Sequence, residues 1–308
     1  MCVSPRIRPK PAQKGAERVK KNKGRSRFVA LCVAPAVILF VIFMIVPTIN
    51  VFRMSLFERG AYSPTETFVG LANFKALIND SLFIRSMQNT ILLIVVVTMV
   101  TFAFALVFAG ILTRENVKGK NIFRVIFYIP NILSVVVISG IFSAIYKPEN
   151  GMLNSLLSMI TGQTVTVLWK DAPLVMVSII IAMVWQFSGY VAVIFLAAIK
   201  NVPTNIINAA KLDGAYMPRI YARMVIPQLK GAMGSCITIL AMYALRSFDF
   251  IVSLVGYTTS SAWTLPVWMY NEAFQSNNFA YSAAISSFLL ALVLVLILPL
   301  TYWTNRRK

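Results

Sequence analysis

The sequence predicts an all-α integral membrane protein of six transmembrane helices, with a helical cytoplasmic loop between the fourth and fifth. Three observations predict it: the composition, the length of the apolar runs, and the alternation of basic with acidic connections. Of 308 residues, 58% are apolar and 13% charged, about half the charged share of a soluble domain. Six runs suit a hydrocarbon core about 30 Å thick, which takes roughly 20 apolar residues to cross. They are 28–52, 91–112, 122–146, 174–199, 232–257 and 280–303. The net charge of +19 lies in the N-terminal arm and the connections. It does not form a basic domain interleaved with aromatics, so the bilayer, and not nucleic acid, is the expected partner.

The elements follow in order. Residues 1–27 form a basic arm carrying ten of the 29 lysines and arginines. Near-surface charges of this kind each gain about 1 kcal/mol against anionic headgroups; the alternative reading is that the arm is only a topology signal and otherwise disordered. The first run is too long, and begins too far along the chain, for a cleaved leader, and it lacks a small-residue cleavage site. Lys and Arg then set the sidedness. The arm, 113–121 with Arg124, 200–231 and the final Arg306, Arg307 and Lys308 hold 22 of them against three acids, Glu17, Glu115 and Asp213. The connections 53–90, 147–173 and 258–279 hold six basic and six acidic residues. By the positive-inside rule both termini are cytoplasmic. The membrane domain runs over 28–305.

The connection 200–231 reads as two short helices. Thr204 is an N-cap after Pro203. Gly214 supplies a left-handed residue that ends the first helix, Pro218 opens the second, and Pro227 leads into the fifth span. The first helix is studded with small residues, Ala209, Ala210, Gly214 and Ala215, and Ile206, Ile207, Leu212 and Met217 add apolar area. A helix this short is marginal alone in water. Either a docked partner or the membrane surface holds it.

The stretch Asn208-Ala209-Ala210-Lys211-Leu212-Asp213-Gly214-Ala215, with Ile226-Pro227 downstream, resembles the Glu-Ala-Ala loop of permease subunits of binding-protein-dependent ABC importers. In that family the pattern is Glu-Ala-Ala, three residues, Gly, and later Ile-x-Leu-Pro. This chain departs by Asn208 in place of Glu and Ile226 in place of Leu. The resemblance extends to Phe68 through Phe74, Gln88-Asn89-Thr90, Arg124-Val125, Pro130, Ser247-Phe248-Asp249 with Ile251, Thr264-Leu265 and Ala273-Phe274. The stretch Gly256-Tyr-Thr-Thr-Ser-Ser departs from the Gly-Gly run usual there. Over about 28–305 the chain is similar to the maltose and glycerol-phosphate type of sugar permease. That resemblance implies a type I importer fold in a bacterial or archaeal inner membrane. It also implies a second related permease, two ATP-binding cassette subunits and an extracytoplasmic solute-binding protein. Residues 208–210 and 212–215 would form a coupling helix seated in an ATPase cleft.

The energy would come from elsewhere. No Gly-x4-Gly-Lys-Ser/Thr loop occurs, so ATP and Mg are expected to be used by the partner subunits, with no cofactor in this chain. No histidine occurs and the three cysteines have no metal spacing, which argues against an enzyme built on these groups. Intramembrane polar residues face the bundle interior. Asn131, Gln186, Tyr190, Tyr243 and Ser247, with Phe248, are therefore the candidate substrate pathway; Asn131, Tyr190 and Phe248 border the sugar site by family implication. The same groups could serve only as helix–helix hydrogen bonds. Arg246 and Asp249, three apart on one helix, are expected to form an intramembrane ion pair, the alternative being that Arg246 meets an anionic substrate. Two other transport readings stay open: an ABC permease for a non-sugar solute, and an ion-coupled secondary transporter using Asp249.

Overall fold

The computed structural model describes residues 23–59, 66–113 and 118–305. The basic arm before Lys23, Glu115 and the last three residues lie outside them. The chain divides into two units, one up to Asn50 and one from Val51 onward. α1 (Lys23–Phe40) passes through a π-helical turn at Val41–Ile45 into α2 (Val46–Ser55), whose last five residues belong to the second unit. From Phe28 to Ser55 this helix is long and apolar enough to cross a bilayer, and nothing in its most apolar stretch is buried. A helix apolar all round suits lipid.

The second unit continues in a hairpin of β1 (Phe57–Arg59) and β2 (Glu66–Phe68), with Phe57 opposite Phe68. Their rings meet edge to face at 5.4 Å. Arg53 and Glu66 form an ion pair at 3.1 Å. Next comes α3 (Ala72–Asn79), where Asn73 Nδ2 donates to the carbonyls of Ser55 and Phe57, 2.9 Å each. That bond pair explains the asparagine in the Phe68–Phe74 stretch: it satisfies two carbonyls where the chain turns.

The bundle is built on α4 (Ser81–Thr113), α5 (Lys120–Ile132), α6 (Val135–Ile145), α7 (Met152–Thr161) and α8 (Val175–Lys200). Down one edge of α4 run Leu93, Val97, Thr101, Ala105 and Ala109, all buried at four-residue spacing. They pack along α8, which buries Ala182, Val191, Ala192 and Phe195. In lipid, small residues at such a seam let two backbones approach. Most of the apolar stretch of α8 is buried, so it is the central post. Gly189 sets the crossing of α8 with α5: a Cβ there would land on the Phe127 carbonyl.

The chain continues through α9 (Thr204–Leu212), α10 (Met217–Ile220), a π-helical turn at Tyr221–Val225, α11 (Ile226–Gln228), α12 (Lys230–Leu245), α13 (Phe248–Val255), α14 (Leu265–Phe274) and α15 (Phe279–Asn305). A smaller core of Leu77, Phe83, Leu265, Trp268, Ala284 and Ile285 ties α3, α4, α14 and α15. Asn89 Nδ2 donates to Ser261 and Trp263 carbonyls at 3.0 and 2.8 Å. Thr90 Oγ1 accepts from the Leu265 N–H at 3.0 Å. The Asn89-Thr90 pair thus staples the turn before α14 to α4.

Two of the six expected spans are not straight helices. α5 and α6 meet at 100°. Leu133 is extended, and Ser134 caps α6 by accepting from the Val137 N–H at 3.4 Å. A cap embedded in an apolar run starts a new helix, so 122–146 is a bent pair. The segment Met217–Gln228 meets α12 at 69°, and α12 ends at Leu245, short of the expected 257. Among the described residues four helices are long and apolar enough to cross, six if each bent pair counts as one span. Thr204 is not an N-cap: Pro203 holds that position and Thr204 is the first helical residue.

Candidate functional site

The break between α12 and α13 is the origin of the site. Arg246 leaves the helical region at φ −111°, ψ 23°, and its N–H caps the carbonyls at the end of α12. Ser247 holds the N-cap position of α13, with Asp249 in the first turn. The helical relation that would set Arg246 over Asp249 is lost, and the ion pair expected from their spacing does not form. Among the described residues the one ion pair is Arg53 with Glu66. Each charge instead sits at a helix end of opposite sign: guanidinium at the C-terminus of α12, carboxylate at the N-terminus of α13. Such placements are each favourable by about 0.3–1 kcal/mol.

Both charges face a cavity of about 520 Å³, within the range of small-ligand sites. From α8 come Met183, Gln186, Phe187 and Tyr190, the i, i+3, i+4, i+7 stripe of one helix face. From α12 come Ile239, Met242 and Tyr243, and Arg246 joins them from just past its end. Asn131 reaches in from the end of α5, Val135 from α6, and Ser247, Asp249 and Phe250 from the break. The rings of Phe187 and Tyr243 lie 4.6 Å apart. Ser247 is buried and its hydroxyl lies 3.4 Å from Thr264 Oγ1. The cavity therefore offers amide, hydroxyl, guanidinium, carboxylate and aromatic groups on a partly apolar wall.

A second feature lies in the α9–α10 connection. Gly214 adopts φ +76°. The Ala215 N–H reaches the Ala210 carbonyl at 3.0 Å and the Gly214 N–H reaches Lys211 at 3.1 Å, the bond pair of a Schellman C-cap. Ala210 is buried at 2% exposure and Leu212 projects at 89%. Asn205, Asn208, Ala209 and Leu212 form one exposed face. On the other side Ile207 and Met217 border an apolar cavity of about 360 Å³ with Leu106, Gly110 and Tyr221.

Residues 103–307 match the family of binding-protein-dependent transport system inner membrane components. The chain belongs to this family. The permease is 36% identical to a probable ABC transporter permease of Pyrococcus horikoshii, over 91% of this chain and 96% of that one. It is 32% identical to the xylose/arabinose import permease of Haloferax volcanii, over 81% and 78%. Its fold is similar to that of a chain in a bacterial ABC transporter that imports the acidic polysaccharide alginate: TM-score 0.80, 23% identity, covering 95% of this chain and all of that one. The permease is a transport component, not an enzyme.

Of the six pathway residues read from sequence, the fold brings Asn131, Gln186, Tyr190, Tyr243 and Ser247 to one cavity. Phe248 is not on its wall. It packs with Tyr270 at 4.8 Å and Tyr257 at 6.3 Å, because its neighbours Ser247 and Asp249 take the cavity side of the first turn. Sequence reasoning missed Met183, Phe187, Ile239 and Met242, although helical spacing from Gln186, Tyr190 and Tyr243 finds all four. In α9 and the turn that ends it, Asn208, Ala209, Leu212, Asp213 and Gly214 are exposed and Ala215 is half-buried. Ala210 belongs to the packed side, and Ile207 and Met217 line the apolar cavity. The small-residue face expected from sequence is therefore split between two sides of α9.

Proposed function

We propose that this permease forms half of the pathway for a sugar or oligosaccharide handed over by an extracytoplasmic binding protein. It pairs with a second, related permease, and two ATP-binding cassette subunits drive it from the cytoplasm, where both termini lie. The observation that carries the reading is the cavity at the helix break, where hydrogen-bonding groups converge beside the Phe187 and Tyr243 rings. Sugars present hydroxyls to such groups and a weakly polar ring face to aromatics. Relatives named for xylose and arabinose import support the same chemistry. The exposed Asn208, Ala209, Leu212 face of α9 is the surface offered to the ATPases, which bind the ATP and Mg. Their closure would rock the bundle between two states.

The test is uptake of labelled glycans by proteoliposomes holding the purified complex with its binding protein. We expect glycan accumulation that needs internal ATP and is blocked by vanadate. Uptake of amino acids or phosphate but of no glycan rejects the sugar assignment. Uptake that an uncoupler abolishes with ATP held constant rejects ATP coupling.

A further inference from the structure

The connection between α6 and α8 is internally bonded around α7. Asn154, buried on one face of α7, donates from Nδ2 to the carbonyls of Pro148 and Val167 at 3.0 Å each. Its Oδ1 accepts from Trp169 Nε1 at 2.8 Å, and Ser158 Oγ accepts from the Val165 N–H at 2.8 Å. These bonds hold one face of α7 against the rest of the connection and so fix which face points away. The outward face carries Met152, Leu156, Met159 and Ile160, exposed at 53%, 48%, 84% and 79%. Their spacing, i, i+4, i+7, i+8, is one stripe of a helix. No charged residue occurs from 150 through 169, while Lys147 and Glu149 precede this stretch and Lys170 and Asp171 follow it.

We infer that this stripe is a membrane-contact face. α7 lies along the outer surface of the bilayer, with the four side chains among the acyl chains and the flanking charges in water, and so holds the outer end of α6. Position is the first support. α7 hangs between the end of α6 and the start of α8, both parts of spans, which sets it where the bilayer meets water. Trp169 lies in the same connection, and tryptophan gathers at that level. Leu168, Val177 and Ile181, where the chain enters α8, are exposed as well, so apolar surface runs on from α7 along the outer end of that span. Permanence decides the occupant. A solute-binding protein arrives and leaves with each cycle and would abandon four large apolar side chains to water between visits; the bilayer is always present. A helix with one apolar face and no charge can sink about 5–10 Å into that boundary. The consequence reaches the cavity, because α6 contributes Val135 to its wall. The inference rests on the sidedness read from the charges, and not on the identity of the solute.

The reporter is an environment-sensitive thiol fluorophore at residue 159. It is carried by a Met159→Cys variant whose native cysteines are replaced (Cys2→Ser, Cys32→Ser, Cys236→Ala), with the whole complex in nanodiscs of phosphatidylglycerol and phosphatidylcholine. Glu149→Cys in the same background is the water-facing reference. Emission from residue 159 is expected to lie to the blue of that from 149. Lipid spin-labelled near its headgroup should quench it at least about twofold, as contact at this shallow depth requires. Adding the binding protein with ATP and vanadate should change neither signal. Emission from 159 that matches 149 and escapes quenching overturns the membrane seat. Blue emission without quenching means that the second permease covers the face, and quenching relieved by the binding protein means that the binding protein does; either result overturns it too. An impermeant thiol reagent should reach residue 149 from outside; if it does so only from inside, the sidedness fails, and the outer placement with it. Met159→Asp combined with Ile160→Asp should unfold in detergent at the wild-type temperature, yet lose binding-protein-stimulated ATP hydrolysis several-fold in nanodiscs. A wild-type rate in that variant overturns the hold on α6.

Discussion

At the scale of single residues, two positions carry conformational or electrostatic cost that mutation can expose. Gly214 sits at φ +76°, where a side chain would meet nothing within 4 Å. The cost of substitution is therefore backbone strain, about 1–2 kcal/mol for an ordinary residue. Gly214→Asn, which tolerates this region, should keep transport-stimulated ATP hydrolysis near wild type. Gly214→Val should lower it several-fold; equal activities for the two variants contradict the capping account. The second position is Glu272 on α14, buried at 8% exposure, with Ser276 donating to its Oε1 at 3.3 Å. Burial pushes its carboxyl above the usual range; the Ser276 bond opposes this and the nearby Asp80 adds to it. A raised folded-state pKa means the native state holds its proton longer than the unfolded chain. This stabilising contribution is fully present below the unfolded pKa and is lost as pH rises through the folded one. Glu272→Gln should therefore raise the midpoint of thermal unfolding at neutral pH by a few degrees and leave it little changed at pH 4. A larger gain at pH 4 than at pH 7 would reverse the sign and sink the account.

At the scale of elements, the crossing of α5 and α8 and the two faces of α9 make contrasting claims. Gly189→Ala places a methyl group against the Phe127 backbone, which cannot swing aside as a side chain can. We expect a loss near the upper end of overpacking costs, about 3 kcal/mol, seen as aggregation or early unfolding in detergent. Separation of these helices would also draw Asn131 away from Gln186 and Tyr190. On α9, Leu212→Glu changes a side chain that is 89% exposed, so insertion and thermal stability should hold while uptake and stimulated ATP hydrolysis fall together. Ala210→Asp instead buries a carboxylate and should destabilise the connection itself. If Leu212→Glu sustains full ATP-driven uptake, the exposed face of α9 is not where the ATPases act. These two elements also show what the sequence made legible. The left-handed stop at Gly214 and the opening at Pro218 follow from local backbone chemistry, which four or five residues encode. The break at Ser134 was hidden because a capping serine inside an apolar run looks like any small interior residue. The Arg246–Asp249 spacing misled for a related reason: i, i+3 geometry presumes one continuous helix, and nothing in Leu245-Arg246-Ser247 announces its end. Five of the six candidate residues share one cavity, since polar side chains in apolar runs have few places to face. Their apolar neighbours needed the helix phase as well.

At the scale of the whole molecule, the cavity is bounded by α5, α6, α8, α12 and α13 of the second unit. Its partner wall, in our reading, is a second permease, and the complete pathway must open to one side at a time. Tyr243 tests this directly, because it lines the cavity and is exposed. In a variant with Cys2→Ser, Cys32→Ser and Cys236→Ala, the change Tyr243→Cys places one thiol in the pathway. Cys236 is fully buried, so its replacement should be a small, apolar residue. A membrane-impermeant thiol reagent added outside should label residue 243 when the ATPases are trapped closed with ATP and vanadate, and label it poorly without nucleotide; the same reagent inside should show the opposite. The two-state argument requires the inversion, since ATP binding can shift the equilibrium only by its preference for one state. For a hundredfold contrast in labelling from each side the populations must move from about 1:99 to 99:1, a preference of about 5.5 kcal/mol. Labelling from both sides in both conditions would mean a pathway that nucleotide does not gate. Labelling from neither side, with the fold intact, would mean that the cavity at the helix break is closed by the partner and that the solute passes elsewhere.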